Sequence, residues 1–166
     1  MKKIINLKNN ILRNIFFFFF LIIPLFLSPF KVSAEVSKTE LNGEMINASS
    51  EFLRDLDYET WQLVAYRSSM NENKLVLRLI GYPGSLRIDH PLNLNVQSGR
   101  KAWLLEDVTQ LNEMLLNDKR QAAVEFDLEE LVQGITQNRP LRLSLPGVFS
   151  ELPVPPFLVK EWRSIN

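Results

Sequence analysis

From Thr60 onward, apolar side chains recur at every second position, a spacing that a β-strand turns into one continuous face. Trp61, Leu63 and Ala65 alternate with Gln62, Val64 and Tyr66. Both sets carry apolar bulk, so this strand is expected to be covered on both faces. Leu75, Leu77 and Leu79 then make one side of a second strand, Val76, Arg78 and Ile80 the other, and Asn71-Glu72-Asn73 supplies the turn of a hairpin. Leu92, Leu94 and Val96 set against Asn93, Asn95 and Gln97 describe a strand with one wet face. Ser98-Gly99 is the turn that leads it back into residues 100–105, centred on Trp103. Residues 122–126, with Val124 and Phe126 on one face, and residues 141–145, stopped by Pro146-Gly147, complete the strands.

At Asp107 the spacing becomes helical: Val108, Leu111, Met114 and Leu115 share a stripe, and Asp107 with Gln110 has the form of a capping box. Asp127 and Glu130 open a second helix in the same way, with Leu128, Leu131, Val132 and Ile135 apolar and Gly134 near its end. The prolines at 153, 155 and 156 force an extended lead, and Pro156 opens a terminal helix in which Leu158 and Trp162 meet at i and i+4. Residues 50–56 predict one or two helical turns with Phe52, Leu53 and Leu56 on one side, and the polar residues 35–49 a flexible lead. Residues 50–166 are thus expected to form one globular domain of α+β class. Its core is a mainly antiparallel sheet of five or six strands with two or three short helices; the alternative is a β-sandwich or partial barrel.

The amino end follows another plan. Basic residues reach Arg13, an apolar run spans residues 15–30, and Val32-Ser33-Ala34 fits the small-residue site of a signal peptidase. A run of sixteen residues, apolar except for Ser28 and carrying Pro24 and Pro29, falls short of the ~20 that a membrane-spanning helix needs. Export with cleavage between Ala34 and Glu35 is therefore expected, an uncleaved anchor being the alternative.

Composition then narrows the chemistry. The first 34 residues hold five bases and no acid, so the remainder carries 14 basic and 19 acidic residues, a net −5, which argues against nucleic acid as a partner. There is no cysteine, which excludes disulfides, thiol catalysis and a lipid anchor on an amino-terminal cysteine. His90 is the single imidazole, and Asp89 beside it offers an acid-base pair; a capped turn ahead of Pro91 explains the same residues, since no nucleophile or metal set accompanies them. The carboxylates of Glu125, Asp127, Glu129 and Glu130 lack the loop of a calcium site and suit a helix start. No metal or cofactor is called for. Trp61, Trp103 and Trp162 line either the core or a pocket for a pigment, lipid or other flat ligand; the strand pattern favours core for the first two. Tyr82, Phe157 and Trp162 are the candidates for contact with a partner, a membrane-associated protein complex reached through the carboxyl-terminal segment.

Several segments in order carry a resemblance: Thr60-Trp61-Gln62-Leu63-Val64, Gly81-Tyr82-Pro83-Gly84, Asp89-His90-Pro91-Leu92, Leu141-Arg142-Leu143-Ser144-Leu145-Pro146, and Val154-Pro155-Pro156 through Glu161-Trp162. They resemble a family of small exported proteins from cyanobacteria, with plastid relatives, known as a domain of unknown function. The resemblance implies a periplasmic or thylakoid-lumen location and brings no reaction, ligand or catalytic residue. The function expected is that of a non-enzymatic accessory or binding protein, with a hydrolase-like enzyme using Asp89 and His90 as the alternative.

Overall fold

A computed structural model describes residues 37–41, 44–82, 87–119 and 121–165. The amino-terminal segment, with its expected cleavage site, and the Pro83-Gly84 half of the glycine-proline turn lie outside them. Among the described residues, no helix is long and apolar enough to cross a membrane.

The alternation seen from Thr60 builds two antiparallel sheets. Strands β1 (Ser37–Leu41), β2 (Glu44–Arg54), β3 (Thr60–Ser68), β4 (Lys74–Ile80) and β7 (Ala123–Asp127) lie in the order β1-β2-β3-β4-β7. Strands β5 (Leu94–Ser98), β6 (Lys101–Leu105), β8 (Leu141–Leu145) and β9 (Phe149–Val154) lie in the order β6-β5-β8-β9. Helices α1 (Glu113–Leu116), α2 (Glu129–Gly134) and α3 (Pro156–Trp162) connect or cover them. The class is α+β and antiparallel as expected, without a closed barrel. The strand count is nine among the described residues, above the five or six read from the sequence. Among the described residues, β1, β6 and β9 are edge strands, while the outer edge of β7 is bridged by residues 106–108 through Asp107 and Phe126.

The core lies where apolar residues of both sheets meet. Trp61, Leu63 and Ala65 of β3, Leu75, Leu77 and Leu79 of β4, and Val124 and Phe126 of β7 share one buried cluster with Leu94, Val96, Leu141, Leu143, Leu152 and Val154. The Trp61 and Phe149 rings sit 5.0 Å apart, and the Leu56 amide donates to the Glu151 carbonyl at 3.1 Å, which ties the end of β2 to β9. The other face of β3 and β4 is buried too, through Val64, Tyr66 and Val76 with Ala48, as the double-sided alternation requires.

Expectations fail in two places, both where a neighbour in space overrules local spacing. Residues 50–56 form no helical turn; β2 runs through Arg54, and its residues 48–54 pair with β3 from Ala48↔Tyr66 to Arg54↔Thr60. An exposed β3 edge next to the buried faces would have left a row of unpaired amides, and pairing satisfies them. Phe52 and Leu56 consequently point outward, 64% and 59% exposed. The stretch read as a flexible lead is likewise β1 and the start of β2, paired from Ser37↔Ala48 to Leu41↔Glu44. Second, the helix expected from Asp107 is broken. Asp107 bridges Phe126 in extended form, residues 109–111 make one 3-10 turn, and α1 starts only after Asn112, whose side-chain oxygen accepts from the Met114 and Leu115 amides. The apolar stripe is therefore not buried: Leu111 and Met114 are 50% and 53% exposed, while Thr109 and Asn112 turn inward.

Helix α3 forms as expected behind Pro156. Leu158, Val159 and Trp162 are buried in the main cluster, and the Ser49 hydroxyl donates to Glu161 Oε2 at 2.5 Å. Truncating a buried tryptophan costs about 3–5 kcal/mol, so Trp162→Ala is expected to lower the melting temperature by on the order of 10–20 °C in a domain of this size. A calorimetric scan of wild type and variant checks it, and an unchanged midpoint would contradict the docked tail.

Candidate functional site

Antiparallel pairing places Arg78 of β4 opposite Glu125 of β7 on the outer face of the five-stranded sheet. Arg78 Nε donates to Glu125 Oε1 at 2.8 Å and Nη2 lies 2.7 Å from the same oxygen. The Tyr66 hydroxyl donates to Glu125 Oε1 and accepts from Arg78 Nη2 at 2.8 Å. Asn112 Nδ2 approaches both carboxylate oxygens at 3.3 Å. Burial, and then the negative charge of Glu125, raise the Tyr66 hydroxyl far above its ordinary value. Arg78 and Glu125 are 4% and 2% exposed. Donors and acceptors here are spent on one another in a closed interior, so the cluster fastens residues 108–112 over the sheet and has no room for a substrate.

The carboxylates grouped near 125–130 are dispersed by the same logic. Glu125 faces Arg78. Asp127 Oδ1 accepts from the Glu129 amide at 2.9 Å, and Glu129 Oε2 takes the Leu75 amide at 3.1 Å and Arg67 at 3.3 Å. The Leu75 amide is the main reason that the Glu129 carboxyl lies below its usual value, outweighing its partial desolvation, with Arg67 adding to it. Among the described residues, no group of three or more carboxylates or imidazoles has the arrangement of a metal site.

Asp89 and His90 are not brought together as an acid-base pair. Asp89 meets Arg87 at 2.9 Å in an exposed ion pair, whereas His90 Nδ1 donates to Asp107 Oδ2 at 2.7 Å. Asp107, which the helical spacing had cast as a cap for Gln110, is instead a junction. Its Oδ2 also accepts the Leu92 amide at 2.9 Å, and its Oδ1 accepts the Thr109 amide at 2.9 Å and hydroxyl at 2.5 Å. The Thr109 hydroxyl in turn accepts the Glu125 amide at 2.9 Å, so it is not offered to the imidazole. The side chains of His90 and Asp107 are 16% and 0% exposed. Burial alone would raise the Asp107 carboxyl; the hydrogen bonds from Thr109, His90 and Leu92 outweigh it and hold the group below its ordinary value. This pair positions the junction before β5 and lines neither the groove beside Trp103 nor the cleft at Asp55.

Of the residues proposed for partner contact, Trp162 is 1% exposed, Phe157 38% and Tyr82 72%. Trp162 is core, because α3 lays it against the sheets; Phe157 and Tyr82 remain at the surface. Trp61 is core as well and donates from Nε1 to Asp55 Oδ2 at 2.9 Å.

Trp103 is different. It is half-buried on the edge strand β6 and forms one wall of a groove of about 440 Å³, bounded by the β5–β6 turn and by the segment that leaves α2. That volume is in the range of small-ligand pockets. Arg100, Lys101 and Arg139 line it, and none of the described lining residues is acidic. Gly134 makes the wall possible: a Cβ there would lie 2.8 Å from Trp103 Nε1, so any side chain would push the indole away. Lys101 Nζ donates to the Gly134 carbonyl at 3.4 Å and offsets the negative end of α2. A smaller cleft of about 150 Å³, lined by Asp55, Asp57, Glu59, Trp61 and Tyr82, has the opposite sign. Neither cation cluster nor groove was legible from spacing, since Arg139 lies 38 residues beyond Lys101 in the chain; the three-tryptophan pattern was the one available signal.

Residues 34–165 match the family described as Protein of unknown function (DUF3122). The chain belongs to this family. No curated protein and no solved structure matches it. The DUF3122 match covers both sheets, the buried Tyr66–Arg78–Glu125 cluster and the Trp103 groove.

Acid sensitivity follows from Asp107. Its folded-state value lies below the ordinary 3.8, so its contribution to stability is complete above the unfolded value and is lost as pH falls through the lower, folded one. Denaturant unfolding between about pH 5 and pH 2 is expected to show a steep loss in wild type. Asp107→Asn is less stable at neutral pH and has a flatter acid limb; an equal acid limb would remove Asp107 as its source.

Proposed function

We propose that this member of the DUF3122 family is exported, loses its first 34 residues, and serves in the periplasm or the thylakoid lumen of a cyanobacterial or plastid source as a non-enzymatic binding protein. The observation that carries binding is the groove beside Trp103: about 440 Å³, open to solvent, walled by an indole and three cations. Export is supported by the basic, apolar and small-residue order of the amino end. The family match starts at residue 34, beside the expected cut. The hydrolase alternative lacks its pair, because Asp89 engages Arg87 and His90 engages Asp107.

Amino-terminal sequencing of the native protein is expected to read from Glu35; a retained Met1 in the membrane fraction would overturn export. For binding, a protein-free small-molecule extract of the compartment is expected to raise the melting temperature of the domain, as any ligand of the folded state does. The rise is expected to vanish in Trp103→Ala and to persist in the double variant Asp89→Asn, His90→Gln. No rise in wild type would overturn the groove as a binding site.

A further inference from the structure

The chemistry of the groove walls defines what it selects. Outside the amino-terminal segment the chain is acidic, with 19 acids against 14 bases. Even so, Arg100, Lys101 and Arg139 gather on one groove with no carboxylate among its described lining residues. Among the described residues none of the three forms an ion pair; the ion pairs of the domain involve Arg67, Lys74, Arg78, Arg87 and His90. A cation without a counter-charge, in a concave site, attracts anions and concentrates them locally.

The three cations are not equivalent. Lys101 is occupied with the Gly134 carbonyl at 3.4 Å. Arg139 Nε donates to Gln137 Oε1 at 2.9 Å, which orients the guanidinium, and its two terminal nitrogens have no partner among the described residues. Arg100 follows Gly99, whose φ of +61° closes the β5–β6 turn and puts Arg100 at the groove rim. Two guanidinium groups suit carboxylate or phosphate oxygens, which they bind through paired donors. Trp103 adds what a bare anion would not use. It is the single aromatic residue among the described lining residues, and the absence of a Cβ at Gly134 lets its indole stand where it does. Its Nε1 edge lies against Gly134 with no hydrogen-bond partner among the described residues, so the ring is held by packing and presents apolar area to the groove.

We propose that the groove takes an organic anion, a carboxylate or phosphate ester joined to an apolar ring, with Arg100 and Arg139 holding the charged end and Trp103 the ring. This rests on the binding reading above and adds the ligand class to it. Both arginines are solvent-exposed, so the attraction is screened by salt. The acidic cleft at Asp55, Asp57 and Glu59 has the wrong sign for the same ligand and does not compete for it.

The test uses the mature domain, three naphthyl probes of similar size (2-naphthoate, 2-naphthyl phosphate and the neutral 2-naphthylmethanol) and inorganic phosphate alone. Affinity is read by nuclear magnetic resonance from the Trp103 indole signal, assigned by its loss in Trp103→Phe. At least one of the two ring-bearing anions is expected to bind about tenfold more tightly than the alcohol, and to weaken about tenfold in the surface double variant Arg100→Gln, Arg139→Gln. The preference should shrink when salt is raised from low to several hundred millimolar. Which ring-bearing anion binds better tells carboxylate from phosphate ester, and inorganic phosphate alone should be weak. Equal binding of the alcohol, or an unchanged double variant, overturns the anion assignment and leaves the groove as a binding site. Inorganic phosphate binding as tightly as the naphthyl probes overturns the ring. If no probe binds while the extract still raises the melting temperature, the ligand class is wrong and the binding reading stands. If the extract fails too, both fall.

Discussion

The carboxylate of Glu125 holds the outer layer of the molecule in place. A domain without cysteine has no covalent means of closing both faces of its five-stranded sheet. The second sheet covers one face by apolar packing. The other is covered by an irregular segment, held by backbone bonds to β7 and, through the Asn112 side chain, by one buried anion that meets Arg78 and Tyr66 as well. Leaving one partner of such a pair alone in the interior costs about 3–5 kcal/mol, whereas an intact pair adds little over apolar residues of the same shape. Its effect is therefore on arrangement. A one-residue slip of β4 against β7 would carry Arg78 to the core face and strand both charges, so this register is strongly enforced.

Where a strand buries one or both faces, its spacing spoke for itself. Residues 60–80 carry apolar bulk on both faces because both are covered, residues 141–145 alternate because one face is, and the observed hairpin and the strand β8 sit where these patterns put them. Strand β2 gave no such signal. Its aromatic residue Phe52 is exposed, and its membership is set by backbone pairing with β3, which side-chain spacing does not record. Around Asp107 the helical stripe was present but lost to stronger local chemistry. One carboxylate accepting from His90, Leu92 and Thr109 keeps the chain extended beyond the point where the stripe would have coiled it.

The site shows the same division. His90 stood out as the single imidazole, yet its partner proved to be a carboxylate 17 residues away rather than the adjacent one. Trp103 was visible as an aromatic residue in a strand, with core the favoured reading. What makes it a wall instead is its position on the edge strand β6, where one flank has no neighbouring strand among the described residues and α2 supplies a glycine to lie against. Edge position is a property of strand order, and nothing in the residues themselves announces it. The cations are gathered from a hairpin turn and from the loop after α2, so they meet only once both sheets exist.

Ser49 and Glu161, 112 residues apart, meet through a single hydrogen bond, with Trp162 packed in the core beside it. The last turn of α3 is thus part of the interior that β2 and β3 begin. Contacts from opposite ends of the described domain must therefore form before this interior closes, and long-range closure of this kind makes folding slow relative to a helical domain of equal size.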